Sequence, residues 1–169
     1  MQFPKNAGEN LAYLEEWQET FHGDSFDFDY HYMWDHYIDF GYYGVAKTLY
    51  EDIRNFESLG LNGLVSCQVQ RAFLPTALGM QVMAQTLWDK ELSFELETDC
   101  ALRAEFGSDY ALVRDYLKKL TDCGCAPVLR GEASIASGQS KAKLLEGIKT
   151  IQEFRATVKD VYKRQDNLS

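Results

Sequence analysis

At 169 residues the chain is long enough for one domain with a single sizeable core, which needs neither disulfides nor metal to fold. Acidic side chains outnumber basic ones 26 to 17, a formal net charge of -9, which argues against nucleic acid or an anionic membrane as partner. No apolar run nears the roughly 20 residues that span a bilayer, and Met1-Gln2-Phe3-Pro4-Lys5-Asn6 lacks the charged and apolar regions of a signal peptide.

The first predicted element is a short amphipathic helix over Asn10–Phe21, with Leu11, Leu14 and Phe21 at helical spacing. Asn10 serves as its N-cap and Gly23 as its stop. Next, Phe26 to Trp34 alternates with period two, a strand signal. Phe26, Phe28, Tyr30, Tyr32 and Trp34 share one face, and Asp27, Asp29, His31 and Met33 the other. The polar face is expected to meet water, a polar cavity or a binding site.

After Gly41 and Gly44, the stripe Val45, Leu49, Ile53, Phe56 and Leu59 predicts a long amphipathic helix closed by Gly60 in a left-handed cap. Gly63 to Gln70 then reads as a buried strand. Strand, helix and strand form a βαβ unit, so the two strands should be parallel. Three helices follow. The first opens at Pro75 and runs to Trp88; the second and third are capped by Ser93 and Ser108. Trp88 is expected as a core anchor, with Trp88→Ala costing about 3–5 kcal/mol. Residues 123–140 are rich in Gly, Ser and Ala and read as a linker. A last helical stripe runs through Leu144, Ile148, Ile151, Phe154 and Val158.

Aromatic residues make up 14% of the chain, crowded between Phe21 and Tyr50. Rings with polar tips suit both core packing and the faces of sugar rings. Cys67, Cys100, Cys123 and Cys125 form no disulfide framework, and the single residue between the last two is too short for a zinc knuckle. They read as free thiols.

Several pieces of the chain carry a resemblance. They are Asp29-Tyr30-His31-Tyr32; the passage Leu49-Tyr50-Glu51-Asp52-Ile53 to Gly60-Leu61-Asn62-Gly63-Leu64-Val65; and Ala84-Gln85-Thr86-Leu87-Trp88-Asp89, continued by Ala104-Glu105-Phe106-Gly107 and Val113-Arg114-Asp115-Tyr116-Leu117. Together, over about Leu11 to Leu120, they resemble the C-terminal part of a bacterial domain-of-unknown-function family of glycosidase-like β/α barrels. That family is related to α-glucuronidases and β-N-acetylhexosaminidases. The resemblance implies an α/β fold, a partial TIM-type β/α barrel made of its last strands plus appended C-terminal helices. Carbohydrate is then the expected ligand, and the missing N-terminal part of the same barrel the expected partner.

On this reading residues 1–122 are the barrel piece with its helical extension, 123–140 the linker and 141–159 a helix. Residues 160–169, which begin Asp160-Val161-Tyr162-Lys163-Arg164-Gln165, resemble a translated sequencing adapter and are set aside. Two parallel strands alone also leave open edges and an uncovered apolar face, as a piece of something larger would.

Active sites of β/α barrels gather at the C-terminal ends of strands. The resemblance therefore points to His31, Tyr32 and Trp34 after the first strand, and to Gln68 and Gln70 after the second, as substrate-binding residues. Glycoside hydrolysis needs two carboxyls about 5–5.5 Å or 6.5–9.5 Å apart. Related barrels place the acid on an upstream strand, so the chain is expected to lack at least one catalytic group, with Asp29 and Asp35 as candidates for the other.

No cofactor or metal is implied. The spacing of His31 and His36 matches no zinc signature, and His22 lies beyond a glycine turn. Gly41-Tyr42-Tyr43-Gly44 lacks the glycine fingerprint and P-loop lysine of a nucleotide cradle. Ser66 and Cys67 lack a nucleophile elbow. The leading expectation is a piece of a glycoside hydrolase-like, carbohydrate-active protein, inactive alone. The alternatives are a non-catalytic carbohydrate-binding protein and a helical protein-interaction module whose exposed apolar face meets a partner.

Overall fold

In the computed structural model, which describes residues 4–34, 37–73, 76–129, 134 and 138–165, the first helix opens earlier than Asn10. Helix α1 spans Ala7–Thr20 with Asn6 as N-cap. Asn6 Oδ1 accepts from the Glu9 amide at 2.9 Å, and the Glu9 carboxylate accepts from Asn6 Nδ2 at 2.9 Å and from the Lys5 amide at 2.8 Å. This reciprocal pairing resembles a capping box, except that Glu9 reaches the Asn6 side chain and the preceding amide instead of the Asn6 amide. Asn10 lies inside the helix instead, and its side chain donates to the Asn6 carbonyl. No residue of α1 is buried; Gln18 Nε2 ties the helix down by donating to the Leu59 carbonyl at 2.8 Å.

Strand β1, Phe26–Asp29, pairs in parallel with β2, Gly63–Ser66. The parallel pairing follows the βαβ expectation, but both strands are half the expected length. The cause for β1 is local. Asp29 Oδ1 accepts from the His31 amide at 3.1 Å, and the amides of Met33 and Trp34 both donate to the Tyr30 carbonyl at 2.9 Å. An aspartate that takes up the amide two residues on turns the chain out of the strand. β2 ends ahead of a 3₁₀ turn over Gln70–Phe73.

The sheet also faces the opposite way from a simple polar-out reading. Phe26, Phe28, Tyr30 and Val65 stand exposed. Asp27 and Asp29 pair with Leu64 and Ser66, and Leu64 packs into the core beside α2. The acidic face is therefore the inward one.

Helix α2, Tyr43–Asn55, carries two apolar stripes. Val45, Leu49 and Ile53 meet Tyr32, Phe56 and Ala72 under the sheet. Tyr43, Ala46 and Tyr50 meet Leu78, Val82, Phe94, Leu102, Val113 and Leu117 of the following helices. One helix thus belongs to two cores. Its start is fixed by Asp39, whose Oδ2 accepts from the Val45 amide at 2.8 Å. Oδ1 accepts from the Gly41 amide at 3.0 Å and from Thr121 Oγ1 at 2.7 Å. Gly41 is required there, because a Cβ would overlap the Leu117 carbonyl and sit 2.6 Å from Thr121 Oγ1. A 3₁₀ turn over Glu57–Leu59 ends at Gly60, whose φ of 67° is the left-handed cap the sequence predicts.

Helices α3, Leu78–Trp88, α4, Phe94–Phe106, and α5, Tyr110–Asp122, pack in succession. Ser93 Oγ caps α4 as expected, accepting from the Leu96 amide at 3.1 Å. Ser108 caps nothing; it lies in a 3₁₀ turn over Gly107–Asp109 that precedes α5. The opening of α3 at Pro75 falls outside the described residues. The expected linker contains a short helix α6, Ala126–Leu129, and α7 runs over Gly138–Gln165. Phe154 of α7 stacks on Tyr116 of α5, with centroids 3.8 Å apart.

The expected α/β class and partial TIM-type barrel are thereby corrected. Among the described residues helix makes up 69% and strand 6%, and the sheet has two strands only. After β2 the chain commits to helix packed on helix, and the fold is a helical array with a small parallel sheet on one flank. Trp88 is corrected as well: it is 91% exposed. The buried stripe of α3 runs through Leu78, Val82 and Thr86, and a residue two positions past Thr86 is turned about 200° away from it.

Candidate functional site

The polar side chains of the βαβ unit converge where the two strands end. Asp29, the last residue of β1, keeps only 1% of its side chain exposed. Its Oδ1 contacts His31 Nδ1 in a very short pairing and also accepts from the His31 amide. Its Oδ2 accepts from Ser66 Oγ at 3.1 Å, across the strand pair, and Ser66 Oγ in turn accepts from Gln68 Nε2 at 3.2 Å. His31 Nε2 lies 3.5 Å from Asp52 Oδ2 of α2. An imidazole is thus held between a buried carboxylate and a half-exposed one.

Electrostatics separates the carboxyls. Burial pushes Asp29 up, but the hydrogen bond and charge of His31, its amide and the Ser66 hydroxyl together outweigh it and hold Asp29 below its ordinary value. Asp27 and Asp52 go the other way. Burial raises Asp27 first and the charge of Asp29 second, against a smaller lowering by His31. Burial also raises Asp52; His31 opposes it, and Asp27, Asp29 and Glu51 add to it. Of the carboxyls around this imidazole, Asp29 is the one stabilised in its charged form.

His31 also forms one wall of a 280 Å³ pocket shared with Asp39, Thr48, Thr121 and the backbone at Gly44 and Gly124. That volume lies just below the usual range for small-molecule sites, and its polar groups are few and fixed.

The expected site residues meet different fates. His31 and Gln68 are brought into one hydrogen-bonded chain through Asp29 and Ser66. Trp34 is 60% exposed at the end of the turn and does not line the pocket. Tyr32 points away from the site: it is 0% exposed, its hydroxyl has no hydrogen-bond partner among the described residues, and it lies against Gly79 of α3. Burial, then the charges of Asp29 and Asp39, push its phenol far above the ordinary range. Gln70 opens the 3₁₀ turn, and its side chain lies outside the described residues, as does all of Asp35.

Two members of the cluster were missed. Ser66 reads from sequence as a buried strand residue without function, and Asp52 as part of the charged face of α2. Strand register was the available signal for Ser66, since pairing Phe26 with Gly63 sets Ser66 opposite Asp29. Nothing in the sequence marks Asp52. Among the described residues no group of three His, Cys, Asp or Glu side chains is arranged to hold a metal ion.

Comparison with family models, with curated proteins and with solved structures finds no match to this chain.

Proposed function

We propose that the chain binds carbohydrate at the carboxyl end of its paired strands and does not hydrolyse it. The observation that carries this reading is the hydrogen-bonded chain Asp29–His31 and Asp29–Ser66–Gln68, placed where His31 walls a 280 Å³ pocket. Ligands of open parallel sheets bind outside the carboxyl ends of the strands, and hydroxyl-rich ligands suit an imidazole, an amide and hydroxyls whose positions are already fixed. Trp34, exposed on the adjoining turn, offers an aromatic face for a sugar ring.

Hydrolysis lacks support from the same geometry. Two carboxyls must flank one glycosidic bond. Asp29 is sealed from solvent with both oxygens engaged, and the imidazole stands between it and Asp52. Asp29 is better suited to orient His31 than to attack a sugar.

The test is a glycan array followed by calorimetry on the glycans that bind. His31→Ala and Gln68→Ala should each weaken binding about tenfold or more with little change in stability. No binding to any glycan on the array, or parental affinity in both variants, refutes the reading. Turnover of chromogenic glycosides by the isolated chain refutes its non-catalytic part. A second reading, a protein-interaction module, is favoured by one observation, the exposed face of Phe26, Phe28, Tyr30 and Val65. Phe28→Ser would then abolish a protein contact and leave glycan binding unchanged.

A further inference from the structure

A larger cavity lies on the other side of Asp52. Between α1, β1, α2 and the 3₁₀ turn that follows it there is a cleft of 700 Å³, well inside the range of small-molecule sites. Its existence follows from α1. That helix carries Leu11 and Leu14 toward the body of the molecule, yet none of its residues is buried. Gln18 tethers it to the carbonyls of Leu59 and Gly60. Opposite stand Phe26, Phe56, Leu59 and Leu61. Two apolar surfaces therefore face each other across a gap instead of closing on it, and filling that gap with hydrocarbon removes apolar area from water.

The polar part of the lining is one-sided. Asp27 from β1 and Asp52 from α2 both line the cleft, and among the described residues no lysine or arginine does. Asp27 has no hydrogen bond or salt bridge among the described residues. Among the described residues, the ion-pair partner of Asp52 is His31, at 3.5 Å. Each carboxyl raises the other's proton affinity or is raised by neighbouring acids, on top of burial. A positive group between them would relieve both effects, and an anion would worsen them.

We propose that this cleft binds a small hydrophobic amine, its ammonium between Asp27 and Asp52 and its hydrocarbon body between Leu11 and Leu14 on one side and Phe56 and Leu61 on the other. The pairing is the usual one for a ligand that is cationic at one end only: a half-buried carboxylate pair sets orientation, and the apolar walls supply contact area. The site is separate from the sugar pocket, which Asp27 does not line.

Calorimetry and ligand-observed NMR on the full chain test this with three probes of equal length: hexylamine, hexanol and hexanoate. Hexylamine should bind about tenfold or more tightly than hexanol, and hexanoate should not bind. Asp27→Asn, which removes no hydrogen bond, should lower hexylamine affinity about tenfold and leave the weak hexanol affinity unchanged. Leu14→Asp should weaken hexanol by removing apolar wall on a helix that buries nothing. Absence of hexylamine binding at millimolar concentration overturns the proposal. Equal affinities of hexylamine and hexanol, binding of hexanoate, or an unaltered hexylamine affinity in Asp27→Asn also overturn it.

Discussion

Tyr32 offers the sharpest check, because its two readings predict opposite results for one atom. The barrel resemblance makes it a sugar ligand; the structure seals it at 0% exposure with a hydroxyl that lacks a hydrogen-bond partner among the described residues. A buried, unsatisfied polar group costs about 1–3 kcal/mol. Tyr32→Phe deletes that oxygen and leaves the ring in place among Val45, Leu49 and Ile53. Some contact with Gly79 is lost, so a net stabilisation of about 1 kcal/mol is expected, which is about 2–4 °C in Tm for a chain of this size. Glycan affinity should not change, since no ligand reaches the hydroxyl. Gly79→Ala is the companion test. Alanine normally improves a helix by up to about 1 kcal/mol, but here its Cβ would overlap Tyr32 Oη and come within 2.7 Å of Cζ and 2.9 Å of Cε1. The ring is enclosed and cannot step aside, so a loss of about 1–3 kcal/mol is expected. It should persist in the Tyr32→Phe background, where the ring carbons remain. Urea unfolding of the four proteins, with calorimetry on the best glycan, decides the matter. A destabilised Tyr32→Phe, or one that loses glycan affinity tenfold at unchanged stability, refutes the reasoning.

Trp88→Ala should change stability by about 0.5 kcal/mol or less, as surface substitutions do, and a urea midpoint lowered by several times that amount would return Trp88 to the core. Glu97 makes stability fall with rising pH. It is buried in α4; Oε2 accepts from Thr86 at 3.0 Å while Oε1 has no partner among the described residues. Burial raises its pKa above 4.5, more than Thr86 and Arg54 lower it. A carboxyl raised in the folded state contributes fully below the unfolded value and loses that contribution as pH rises through the folded one. Glu97→Gln should therefore equal the parent near pH 4.5 and exceed it at neutral pH in urea titrations, and a constant difference across that interval would show that Glu97 does not titrate with folding.

The sequence disclosed segments better than it disclosed architecture. The alternation of Phe26 to Trp34 locates β1 and even its partner, since helix-then-strand forces a parallel pair. It cannot say which face turns inward. Hydrophobicity alone puts Phe26 and Phe28 inside and Asp27 and Asp29 outside; the structure reverses this because His31 and Ser66 satisfy Asp29, and a satisfied carboxylate is tolerated where an unpaired one is not. The same Asp29 ends the strand by taking the His31 amide, a competition between side chain and ladder that period-two counting does not register. The barrel expectation failed at a different level. Its motif pieces are short, and each is also compatible with a helix-strand passage packed against further helices. What decides between them is the second stripe of α2. Tyr43, Ala46 and Tyr50 bind it to α3, α4 and α5, and that stripe is visible in the sequence only once the helices it meets are known.

The site was legible in proportion to how local its contacts are. His31 and Gln68 lie within two residues of strand ends, so a rule about strand ends finds them. Asp52 enters through the angle at which α2 crosses the sheet, which no spacing encodes. Yet Asp52 is the residue that joins the two cavities. Its carboxylate faces His31 at 3.5 Å on one side and lines the α1 cleft on the other. An ammonium drawn to Asp52 from the cleft would compete with His31 for the same charge, and His31 is the group on which the proposed sugar site depends. Occupancy of one cavity then bears on affinity in the other, and by linkage the effect is equal in both directions. A side chain classed from sequence as solvated surface thus stands between the two cavities of the βαβ unit, where it touches His31 on one side and lines the cleft on the other.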